Sequence, residues 1–248
     1  MIKFLKLISL LTIILLNACS LSNSSYSKEK KSDEELAQIK LQLGVRYMEL
    51  GRNEIAVKNL KEALELEPNS PEINGAVAVL YQELKMNSEA DRYFQKALSL
   101  DENNYQTMNN YALFLCSKGE YSKGLSYAKK ASDHPLNSRL WFSLTNAGRC
   151  EYRQGNMESA EKYYRAALSH NAQYAPALLK MYKISYHNNS FMSARAFLDR
   201  YVALVEHDAD TLFYSYQIEK ALGYHEKANE SRQMLLDKFP FSDEAGKL

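Results

Sequence analysis

The chain has 248 residues, 46% of them hydrophobic and 25% charged, with a formal net charge of +1. That apolar content is enough for a sizeable core, so the composition excludes a disordered, self-repelling tail. Near-neutrality also removes the electrostatic basis for a nucleic-acid partner.

The first segment, residues 1–18, has its own pattern. Lys3 and Lys6 form a short basic region, and Leu7 to Leu16 is apolar except for Ser9 and Thr12. A run of that length is about half the roughly 20 residues a membrane-spanning helix needs, so it reads as the apolar region of a signal peptide. It closes on Leu16-Asn17-Ala18-Cys19, which resembles the lipobox of bacterial lipoproteins. That resemblance implies cleavage before Cys19 and a diacylglycerol on its sulfur; a generic secretory peptide cut elsewhere is the alternative. Multiple acyl chains, at about 0.8 kcal/mol per buried methylene, anchor a protein stably. Ser20 follows where inner-membrane lipoproteins of the enterobacterial type resemble one another in having aspartate, which implies the periplasmic face of the outer membrane. Residues 19–36 are then expected to be the lipidated cysteine and a polar, serine-rich tether.

From residue 37 to 248 short helical patterns recur. The small residues Ala56, Ala90, Gly124, Ala160, Ala194 and Ala228 are separated by 34, 34, 36, 34 and 34 positions. A helix-turn-helix unit of 34 residues is the tetratricopeptide period. The spacing predicts an all-α, right-handed superhelical solenoid of six such repeats, beginning near Ala37, Pro71, Tyr105, Trp141, Ala175 and Ala209. Gly51, Gly119, Gly155 and Gly223 fall in the turns between paired helices, where a positive φ is needed. The two extra residues fall in Asp133–Ser138. Tyr182 and Tyr216 stand where repeats five and six call for a small residue, so these are the weakest matches.

No phosphate-binding glycine loop, His-Glu-x-x-His or paired-cysteine metal motif occurs, and the five histidines are scattered. No catalytic residue, metal site or cofactor beyond the lipid on Cys19 is expected, and a solenoid of this kind presents a surface for a protein segment. First helices line that surface, with repeat positions 2, 5, 6, 9, 12 and 13 facing it. Position 6 is Asn110 in repeat three and Asn146 in repeat four. Stacked asparagines there resemble the ladder by which other tetratricopeptide proteins hold an extended backbone, since an amide both donates and accepts. Arg149, Arg153, Lys180, Lys183 and His187 follow on the same face, a set suited to an acidic side chain or a chain terminus. At the other end Leu41, Val45 and Val79 face inward beside Glu49, Glu72 and Glu83. The alternative for all of these polar groups is a solvated face with no ligand.

Cys116 and Cys150 remain, an even pair in an oxidising compartment. They occupy positions 12 and 10 of neighbouring first helices, about 200° apart in helical phase and about 3 Å apart along the axis, so they can face each other. A disulfide there closes a loop worth roughly 3 to 4 kcal/mol in the chain-entropy model. Two separately buried thiols are the alternative.

Taken together, the lipobox, the tether, the six repeats, Asn109-Asn110-Tyr111 with Phe114-Leu115-Cys116, and Asn146-Ala147-Gly148 with Cys150 resemble the type IV pilus biogenesis and stability lipoproteins, the pilotins. Phe239-Pro240 and Ser242 at the end agree with this, whereas Ala112 replaces the glycine common in that family. The resemblance implies an outer-membrane lipoprotein that binds the secretin, the ring through which the pilus passes, and supports its localisation, multimerisation or stability. A tetratricopeptide lipoprotein serving β-barrel assembly or a cell-wall enzyme is the competing reading.

Overall fold

The computed structural model describes residues 32–248. Twelve α-helices run through them: α1 (32–49), α2 (Asn53–Leu66), α3 (Pro71–Glu83), α4 (Asn87–Leu100), α5 (Tyr105–Ser117), α6 (Tyr121–Asp133), α7 (Leu140–Gln154), α8 (Met157–His170), α9 (Ala175–His187), α10 (Phe191–Val202), α11 (Ala209–Ala221) and α12 (His225–Lys238). A short 3-10 turn, Ala245–Lys247, follows. Successive pairs are the six helix-turn-helix units that the 34-residue period requires. The expected signal peptide, Cys19 and most of the expected tether lie outside the described residues.

Residue 32 is already helical, upstream of the start near 37 expected for the first repeat. The chain forms two compact units, one ending at Thr107 and the other Met108–Leu248, with the division falling inside α5.

Second helices show how each unit holds together. Ala56, Leu60 and Ala63 of α2, and Ala90, Phe94 and Ala97 of α4, recur at four- and three-residue steps and are all buried. That places one apolar stripe against the preceding first helix. In the first unit Ile73, Val77 and Leu80 of α3 meet this stripe. In the second, Tyr164, Leu178, Met181, Tyr182 and Ile218 form the larger core. A fully buried side chain of this size contributes about 2 to 3 kcal/mol. Between α5 and α6 the helices touch through Gly124, where an added Cβ would lie 2.9 Å from the Ala112 carbonyl oxygen and would also collide with the Cys116 sulfur.

All six turns between paired helices use a left-handed residue. Gly51, Gly119, Gly155 and Gly223 have φ of 67°, 84°, 90° and 80°, as their placement required, but Lys85 (60°) and Asn189 (56°) fill the equivalent place in repeats two and five. Each of these two lies 34 positions from one of the glycines, so the period locates them although their residue type does not. The longer link before α7 is closed by Asn137, whose Nδ2 donates to the Ala131 carbonyl at 2.7 Å and to the Ser143 hydroxyl at 2.8 Å.

Candidate functional site

In the second unit the first helices α5, α7, α9 and α11 lie side by side, and specific contacts stitch each to the next. Between α5 and α7, Asn146 Nδ2 donates to the Asn109 carbonyl at 3.1 Å, and an Arg153 guanidinium nitrogen donates to the Cys116 carbonyl at 3.2 Å. Cys116 and Cys150 are paired here with Cα atoms 5.2 Å apart, inside the range a disulfide requires. Between α7 and α9, the Lys180 ammonium sits 4.7 Å from the centre of the Tyr152 ring. Between α9 and α11, Asp210 accepts from the Tyr182 hydroxyl at 2.7 Å and from Lys183 at 3.0 Å.

This geometry revises three of the expected groove residues. Asn146 is 1% exposed and its Nδ2 is committed to the neighbouring helix while its buried Oδ1 has no partner, so it belongs to the packing between repeats and not to an open face. The reason is the close approach of α5 and α7 around the cysteine pair, which seals a position that repeat phase alone would leave open. Asn110 remains half-buried on the face, so no asparagine ladder runs from repeat three to repeat four. Lys183 is neutralised by Asp210 at 2.8 Å, and Arg153 has one nitrogen tied to the Cys116 carbonyl.

Arg149 and Lys180 are in no ion pair among the described residues, and Arg153 has guanidinium donors beyond the one on the Cys116 carbonyl. Lys180 is half-buried, and its ammonium is held below the ordinary lysine range, first by loss of water and then by repulsion from Lys183, Arg149 and Arg153. Lys183, Arg149 and Arg153 thus lie close enough to Lys180 to repel it. Tyr214 and Tyr186 stand beside them, with ring centres 5.1 Å apart and nearly perpendicular, and Lys183 lies 5.2 Å from the Tyr214 ring. Tyr214 is pushed above the ordinary tyrosine value by burial and by the Asp210 carboxylate. Sequence reasoning missed Tyr152, Asp210 and Tyr214. Extending the same repeat phase into repeat six finds the last two, at positions 2 and 6 of α11.

Tyr182 explains how repeat five tolerates a large residue at a small position. It is fully buried, packs edge-on to Tyr214 at 5.3 Å, and places its hydroxyl on Asp210. Burial, then the Asp210 hydrogen bond, holds it protonated well above the ordinary tyrosine range.

In the first unit Leu41 and Val79 are half-buried against the core around Ile73 and Leu80, while Val45 is half-exposed beyond it. Glu49 pairs with Arg46 at 2.9 Å and Glu72 accepts from the Ser70 hydroxyl at 3.0 Å. Burial raises the Glu83 carboxyl above the ordinary range. This face is apolar and acidic, whereas that of the second unit is aromatic and basic. Among the described residues no group of three or more histidine, cysteine or carboxylate side chains is placed to hold a metal ion, and no helix is long and apolar enough to cross a membrane.

Paired helices at a 34-residue period with a left-handed residue in every turn define an all-α fold of tetratricopeptide repeats. Models of that repeat match residues 44–85, 71–104 and 127–176. Within this class the chain is homologous to the type IV pilus assembly protein PilF of Pseudomonas aeruginosa, at 26% identity over 214 residues, covering 86% of this chain and 85% of that one. The fold matches the solved structure of Pseudomonas aeruginosa PilF with a TM-score of 0.79 at 25% identity, over 87% of this chain and 97% of that one. It matches the crystal structure of PilW, a widely conserved type IV pilus biogenesis factor, with a TM-score of 0.76 at 29% identity, over 85% and 97%.

Proposed function

We propose that this protein is an outer-membrane lipoprotein of type IV pilus biogenesis that binds the secretin and supports its localisation, multimerisation or stability. The observation that carries the reading is the homology to PilF over 86% of this chain and 85% of that one. Its lipid anchor is Cys19, at the end of the lipobox-like Leu16-Asn17-Ala18-Cys19, on the periplasmic face of the membrane. The first-helix faces supply the grip, with Leu41, Val45 and Val79 as the contacts in the first unit and Asn110, Arg149 and Lys180 as those in the second. In the oxidising periplasm Cys116 and Cys150 form a disulfide, favoured by their 5.2 Å Cα separation. It fixes α5 against α7, and hence the spacing of Asn110 and Arg149 on the binding face.

The test is photo-crosslinking in intact cells from Val45 and His187, each replaced in turn by a photoreactive amino acid. Recovery of the secretin from these positions is the expected result. Recovery only of β-barrel assembly factors or cell-wall enzymes overturns the secretin assignment.

A further inference from the structure

We propose that the first-helix face of the second unit is selective for acidic segments, with Arg149, Arg153 and Lys180 receiving at least two carboxylates from side chains of one extended peptide. The inference rests on the protein-binding reading above and specifies the chemistry of what is bound.

Three observations support it. The cations come from two neighbouring helices, Arg149 and Arg153 four residues apart on α7 and Lys180 on α9, with Lys180 held against α7 by the Tyr152 ring at 4.7 Å. Residues four apart on a helix share one face at about 6 Å. Asp210 is hydrogen-bonded by Lys183 and the Tyr182 hydroxyl, and its attraction for Lys180 is outweighed by burial and by repulsion from Lys183, Arg149 and Arg153. Finally, Lys180 is half-buried among like charges, an arrangement that disfavours its charged form in the free protein and that an incoming carboxylate relieves.

The number of cations selects among anions. One chain terminus brings a single carboxylate, which cannot satisfy two guanidinium groups and an ammonium spread over two helices. Acidic side chains two residues apart on an extended strand are about 7 Å apart and project to the same side, a match to the Arg149–Arg153 separation. Guanidinium groups bind carboxylates through paired hydrogen bonds, and partial burial strengthens each. Tyr186 and Tyr214 offer ring surfaces for the residues between.

The experiment uses the intact lipidated protein in detergent and two end-blocked fluorescent peptides of alternating glutamate and leucine or alternating glutamine and leucine. Anisotropy is expected to show the glutamate peptide binding about tenfold more tightly, with the preference reduced to near unity in Arg149→Gln combined with Lys180→Gln. Both residues are partly exposed, so the variants keep the fold, which circular dichroism checks. Equal affinity for the two peptides, or displacement of the glutamate peptide by inorganic phosphate or by phosphatidylglycerol vesicles at lower concentration than by free peptide, overturns the proposal. Crosslinking from His187 in cells separates the two levels: a retained crosslink without acid preference contradicts this inference alone, whereas loss of the crosslink contradicts the groove itself.

Discussion

Replacing Asn146 by alanine discriminates most sharply between a residue that holds a ligand and one that holds the fold. The amide is 1% exposed, and its Nδ2 donates at 3.1 Å to the Asn109 carbonyl on the adjacent first helix. Loss of that hydrogen bond costs about 0.5–1.5 kcal/mol, and the space left by the missing atoms adds roughly 0.5 kcal/mol at the usual cavity cost. Two effects offset part of this: the buried Asn146 Oδ1 has no partner, so its removal relieves a desolvation penalty, and alanine favours the helix. The net expectation is a loss of about 1 kcal/mol, or roughly 3–6 °C in melting temperature for a unit of this size. Asn110→Ala, on the half-buried face, should stay within about 0.5 kcal/mol of the parent while weakening peptide binding. Thermal melts followed by circular dichroism, with peptide titrations in parallel, make the comparison. An unchanged melting temperature for Asn146→Ala together with weakened binding would refute the reasoning and restore Asn146 to the groove.

Other consequences follow from the same packing. Gly124→Ala should destabilise the second unit by about 1–3 kcal/mol, because its Cβ meets the Ala112 carbonyl and the Cys116 backbone nitrogen, neither of which can yield cheaply; denaturant unfolding measures it. Lys85→Gly should raise the melting point by a few degrees, since it removes a left-handed lysine whose conformation costs about 1 kcal/mol. Cys150→Ser should cost up to about 4 kcal/mol for a 34-residue separation, and two reactive thiols in denatured, unreduced parent protein would contradict the bond. The Lys180 ammonium is held below its ordinary value in the folded state, so at alkaline pH the unfolded chain binds the extra proton and stability must rise with pH between the two values. The stability of the parent relative to Lys180→Gln should therefore grow from pH 7 toward roughly pH 10; a falling difference would show that the sign is wrong.

The period was readable because it is carried by residues with a steric reason to be small or left-handed: Ala56, Ala90 and Gly124 where helices touch, and Gly51, Gly119 and Gly155 in the turns. Lys85 and Asn189 were not marked in this way, since nothing in a lysine or asparagine side chain announces a positive φ. Repeat phase puts Lys180 and Arg149 on one expected face, because phase determines direction around a helix. It failed for Asn146 because direction is not depth: whether position 6 is open depends on how closely α5 and α7 approach. It failed for Lys183 because the partner, Asp210, lies 27 residues away on another helix, and a period describes neighbours in phase without naming their charges. Tyr182 looked like a defect in repeat five until Asp210 supplied a partner for its hydroxyl.

The claim that this chain serves a pilus secretin is tested most directly by the amount of assembled secretin in cells lacking it. Outer-membrane fractions from a deletion strain, run unboiled and probed for the secretin, should show loss of the multimer and accumulation of monomer. Restoration is expected from the parent gene and not from a Cys19→Ser variant. Undiminished multimer in the deletion strain would contradict the account.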